Sequence, residues 1–191
     1  RYKCSQSHVK NLESNALQIF DKMKKIHGMD SRERLLLQIA VLIHACGKFI
    51  SVRNSNECAY NIIMSTEIIG ISHLEREIIA NVVRYNIRDF DYNMVRMETE
   101  LDEVTDSFSG QNEVMLLIAK LTAMLRLANS MDRGHSAKLA DCRMTVKDQN
   151  LIITTDYHGD ITLESVSFEQ KAAFFEEIFG IRPVLRHKKY V

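Results

Sequence analysis

A mainly α-helical fold that ends in a small α+β unit is what this sequence predicts. Apolar residues recur at helical spacing over most of the first 133 positions. One proline and seven glycines leave long stretches without a break. After Gly134 the pattern changes to short runs separated by turn residues.

The first helix is expected from about Ser7 to His27, with Val9, Leu12, Ala16, Ile19, Phe20, Met23 and Ile26 on one side and Gly28 as its stop. Asp30 with Glu33 makes a capping-box start for the second. That segment, LLLQIAVLIHAC, is apolar nearly all round, so the stretch 34–46 is expected to be the most buried element, ending at Gly47. A shorter helix is expected around Glu57–Met64. Ser72 with Glu75 caps the next, with Leu74, Ile78, Ile79, Val82 and Val83 facing inward. Residues 87–110 carry the least pattern, and Glu98, Glu100, Asp102, Glu103 and Asp106 crowd there as on a solvated face. A long helix is expected from Asn112 to about Arg133, burying Val114, Leu117, Ile118, Leu121, Leu125 and Ala128.

The segments RMTV and NLIITT then predict a hairpin around Asp148 and Gln149, and HGD a further turn followed by ITL. Ser167 with Gln170 is expected to cap a last helix carrying Ala172, Phe175, Ile178 and Phe179, stopped by Gly180. IRPVLR is a final strand, confined by Pro183 to a sheet edge. The division expected is a helical domain over 1–135 and a small α+β subdomain over 136–191, with no internal repeat.

Composition bounds the function. With 25 basic and 25 acidic side chains the net charge is zero, so bulk charge points to neither nucleic acid nor membrane, and any anion affinity must come from local clustering. At 191 residues the chain is long enough to bury a core without staples. Cys4, Cys46, Cys58 and Cys142 are widely spaced without a CxxC pair, as expected of buried thiols in a reducing, cytoplasmic setting. A signal peptide and an apolar run of membrane-spanning length are both absent from the sequence. The first residue is Arg1 rather than Met, which predicts a stretch of a longer protein.

Two histidines stand out: His8 in the first turn of the first helix, and His44 in the last turn expected of the second. The commoner role of a lone helical histidine is a hydrogen-bonded core or surface residue. Cys46, two residues beyond His44, suggests a thiol nucleophile. Residues i and i+2 of a helix point apart, however, so a buried structural cysteine is the better reading.

The order of segments adds to this. SHVKNLESNALQIFDKMKKIHGM, RLLLQIAVLIHACGKFIS, AYNIIMSTEIIGIS, IIANVVRYN, LTAMLRLANSMDRGH and FFEEIFGIRPVLRHKK together resemble, in sequence order, the C-terminal HD-type region of the exopolyphosphatase/guanosine-pentaphosphate phosphatase (Ppx/GppA) family. The resemblance spans almost the whole chain and implies an HD-domain-like helical bundle. It also implies upstream actin-like phosphatase domains that carry the chemistry. The present stretch is then an accessory region that extends a polyphosphate path, or contacts a phosphorylated nucleotide, and contributes to a homodimer.

The departures from the family pattern bear on catalysis. In HD proteins two His and two Asp hold a divalent metal that activates water against a phosphate ester. The resemblance puts those positions at His8, His44, Ala45 and Asn129, so both carboxylates are missing. Alanine cannot ligate, and asparagine offers only a neutral carbonyl. A cation there has no negative charge to balance it. The histidine-rich run that often precedes the Ala-Tyr of the third helix is Asn54, Ser55, Asn56, Glu57 and Cys58, and the family's Arg-Tyr-His is Arg84, Tyr85 and Asn86. Glu57 is the one candidate for a replacement carboxylate. A vacant metal site follows, with no catalytic residue and no cofactor in this stretch.

Phosphate contact remains. Lys48, Arg53, Arg84, Arg126, Arg133 and His135 fall in or beside the resembling segments, and Lys48, Arg84, Arg126 and Arg133 are expected to line one basic surface. Two other function classes stay open: a metal-dependent nucleotide phosphohydrolase with a rearranged ligand set, and an interaction module without a phosphate ligand. Metal content separates the first of these from the accessory reading.

Overall fold

The computed structural model describes residues 6–92, 95 and 108–188. Among them six helices precede or flank a three-stranded sheet, which bears out a mainly α chain with a small α+β unit. The acidic residues 98–106 and Cys4 lie outside the described residues.

Helix α1 (Gln6–His27) buries Leu12, Ala16, Ile19, Phe20 and Met23 of the predicted stripe, while Val9 is half-buried and Ile26 is exposed. Gly28 stops it at φ 68, a left-handed value that glycine adopts without strain. Two of the three predicted capping boxes are present. Asp30 caps α2 (Ser31–Ile43) with Glu33 reaching back, and Ser72 caps α4 (His73–Arg84) with Glu75 doing the same. Between them lies α3 (Ser55–Met64).

Helix α2 differs from expectation in two ways. It ends at Ile43, so His44 is its C-cap residue, and a 3-10 turn at Cys46–Phe49 follows. The cause is Gly47: a Cβ there would stand 1.8 Å from the backbone oxygen of Ser55, so the chain is pressed onto α3 and cannot continue straight. Nor is α2 the most buried element, since Leu35 and Leu42 remain exposed. That place goes to α5 (Phe108–Ser130), where every residue from Ile118 to Ala128 is buried except the half-buried Lys120. Helix α5 packs against α1, α4 and α6, whereas α2 packs mainly on α1 and α4, touches α5 lightly and leaves a side open.

Beyond α5, β1 (Arg143–Lys147) and β2 (Asn150–Thr155) form the predicted antiparallel hairpin. Its two-residue turn, Asp148 and Gln149, holds both residues at positive φ, 49 and 57, as a type I′ turn demands. Helix α6 (Thr162–Phe179) starts earlier than expected. The ITL segment opens the helix, Ser167 and Gln170 lie inside it, and the Asp160 carboxylate accepts from the Thr162 N–H at 2.9 Å. Burial of Glu164, Phe168, Ala172 and Phe175 makes one continuous stripe, which explains the earlier start. Helix α6 then crosses over to β3 (Arg182–His187), parallel to β2 at the sheet edge that Pro183 foretold. One hydrophobic cluster runs from Leu12 on α1 to Ile181 before β3. No described helix is long and apolar enough to cross a membrane.

Candidate functional site: a histidine cluster and a basic cavity

His8 faces inward from the first turn of α1 and is 1% exposed. Its Nδ1 lies 2.7 Å from Oδ2 of Asp132, which is equally buried in the turn after α5. The other Asp132 oxygen accepts from the Ala137 N–H at 2.8 Å, so the carboxylate is held from two directions. A carboxylate can only accept, which makes His8 Nδ1 the donor and leaves Nε2 without a partner.

The structure brings His44 to His8, with ring centroids 5.8 Å apart. His44 Nδ1 donates to the Val41 carbonyl at 2.7 Å, which again turns the Nε2 lone pair elsewhere. Burial pushes His44 down to about 4, partly offset by that backbone bond and reinforced by His8, Lys48 and His135. His135, at φ 52, lays its ring 3.8 Å from that of His8 and covers it from solvent. It too is lowered, by burial first and His8 next. At neutral pH His44 is therefore an uncharged imidazole.

Ala45 and Asn129 have other surroundings. Ala45 lines an apolar pocket with Leu42, Ile43, Cys46 and Ile63. Asn129 lines a cavity with Arg126 and Arg133, and the side chain that meets His8 from this end of α5 is Asp132. Sequence reading missed Asp132 as well as the stacking role of His135. The available signal was the tight Asp-Arg-Gly-His run, which returns both side chains to one side of a turn.

A metal finds a poor donor set. Among the described residues no group of three or more His, Cys, Asp or Glu is placed to hold one. Glu57 is engaged elsewhere: its Oε1 accepts from Arg84 Nε at 2.9 Å and Arg88 Nη1 at 3.1 Å. Cys46 sits in the 3-10 turn rather than on a helix, and burial pushes its thiol up, away from the reactive thiolate.

The basic residues divide. Arg84 is buried, paired with Glu57 and stacked over the rings of Tyr60 and Tyr85 at 5.0 and 5.8 Å, a packing role. Lys48 is an electrostatic neighbour of His44 and His135, and Arg53 is exposed. Arg126 and Arg133 come together, joined by Lys171, which sequence reading did not single out. They line a cavity of about 260 Å³ with Asn86, Asn129 and Gln170.

In comparison with known families, residues 1–172 of the 191 match Ppx/GppA phosphatase, domain III. No curated protein matches the chain.

Proposed function

The chain belongs to the Ppx/GppA phosphatase family as its domain III, and from that we propose that it is an accessory, HD-like region with a degenerate metal site that contributes polyphosphate binding. The family places it as an accessory domain of an exopolyphosphatase-type protein. Hydrolysis is assigned to upstream actin-like domains of the same protein, in the cytoplasm. The supporting observation is the donor set: with Nδ1 of His8 and His44 on protein acceptors only their Nε2 atoms remain as ligands, and among the described residues no group of three or more His, Cys, Asp or Glu is placed to hold a metal. Metal catalysis needs an ion held firmly enough to polarise a phosphoryl oxygen and acidify a bound water. Two imidazoles without a well-placed third ligand do not supply that.

One observation favours a second reading. Asp132 and His135 stand against His8, so a rearranged ligand set for a nucleotide phosphohydrolase has its raw materials close by. Elemental analysis and a phosphatase assay with added manganese, on the wild type and on Ala45→Asp/Asn129→Asp, separate the two. The accessory reading expects neither stoichiometric metal nor turnover in the wild type. Metal with turnover there would overturn it. A contact face toward other domains or a second copy also belongs to the proposal, supported by exposed Leu42, Phe49, Ile50 and Val52 around the α2–α3 junction.

A further inference from the structure

Arg126 is 5% exposed, and only part of its guanidinium is satisfied. Its Nε donates to the Tyr85 carbonyl at 2.7 Å and its plane lies over Phe174, 4.8 Å from the ring centre, while Nη2 has no partner. Asn86 beside it is 2% exposed, and both ends of its amide lack a partner. A buried cation and a buried amide left open in one place are costly unless something binds them. The same cavity collects two more cations. Arg133 stands at the exposed turn after α5, and Lys171 comes half-buried from α6. Burial, then Arg126, hold the Lys171 ammonium below its ordinary value, with Asp89 opposing and Arg133 adding, so positive charge is in local excess. Asp89 is the acid that faces this group. It attracts Arg126 and Lys171 but makes no hydrogen bond to either among the described residues.

We infer that the cavity enclosed by the end of α4, α5 and α6 is a binding site for a single phosphoryl group, held by Arg126, Arg133, Lys171 and the Asn86 amide. Arg126 and Asn86 form its pre-set base, and Arg133 and Lys171 are the closing cations. At about 260 Å³ the space is ample for a phosphoryl group and lies at the small end of pockets that enclose whole organic ligands, roughly 300–1,000 Å³. Leu163 and Val166 on the rim lower the local polarity and strengthen each charged contact. The site rests on the phosphate-contact reading above only in choosing phosphate among small oxyanions.

The test is calorimetric titration of the 191-residue chain with inorganic phosphate and, separately, with polyphosphate of defined length. The variants are Arg133→Gln, Lys171→Met and Asp89→Asn, with Lys147→Gln on β1 as a distant control. Circular dichroism confirms that each folds. One phosphate per chain is expected, weakened about tenfold or more by Arg133→Gln or Lys171→Met. Asp89→Asn, which removes the competing acid, should tighten it, and Lys147→Gln should leave it unchanged. Absence of phosphate binding overturns the site, as does equal loss in Lys147→Gln. Phosphate that binds here while polyphosphate does not keeps the site and removes the polyphosphate reading. Polyphosphate binding insensitive to Arg133→Gln and Lys171→Met does the reverse.

Discussion

His44 ties the stability of the fold to pH. In the folded chain burial lowers it to about 4, while in the unfolded chain it titrates near its ordinary value of 6.5. Between those values the unfolded state binds the proton that the folded state refuses, so stability falls as pH falls. The full window is worth about 3 kcal/mol at about 1.4 kcal/mol per unit. His135 shifts the same way, and the groups facing the pair are His8, Lys48, Arg133 and Asp132. Urea denaturation at pH 7.5 and 4.5 should show the loss in the wild type, and a smaller loss in His44→Gln. Equal losses in both proteins would remove His44 as the cause. His8 and His44 were legible in the sequence as positions on helices. Asp132 was not, because it meets His8 across 124 residues and helical spacing says nothing about such pairs.

At the level of elements, caps and turns were the most legible features because their chemistry is local. Asp30–Glu33, Ser72–Glu75 and the Asp148–Gln149 turn all form as read. The Ser167–Gln170 pair shows the limit of such signals: the same residue types occur inside α6, where the apolar stripe runs on through them. The burial rank of α2 was illegible for a different reason. An apolar run reveals that a helix prefers cover, but only the packing of its neighbours decides which sides receive it. The hairpin turn supplies a test. Gln149 sits at φ 57, where a side chain is strained and glycine is not. Gln149→Gly should therefore stabilise the protein by about 0.5–1 kcal/mol, read as a raised denaturation midpoint. A lowered midpoint would mean that the Gln149 side chain makes contacts that outweigh its backbone strain.

On the scale of the whole molecule, the helical part and the α+β part share one core. Met144, Leu151 and Ile153 of the hairpin, Phe168 and Phe175 of α6 and the stripe of α1 belong to the same cluster. The boundary expected near residue 135 separates patterns of secondary structure that bury one another. A single cooperative transition is therefore expected in scanning calorimetry, with calorimetric and van't Hoff enthalpies equal. Two resolved transitions would show that the parts hold together separately. A bond that joins them is long in sequence: Asn15 on α1 donates to the Leu139 carbonyl at 3.4 Å, and within the helical part His8 meets Asp132, each pair 124 residues apart. A ribosome adding about 5–20 residues per second needs roughly 6–25 s to make the distance between such partners. Throughout that interval the first helix has been synthesised while the residues that complete its burial do not yet exist. Its apolar stripe can rest against α2 on one side, and on the other it stays open to chaperones or to neighbouring nascent chains.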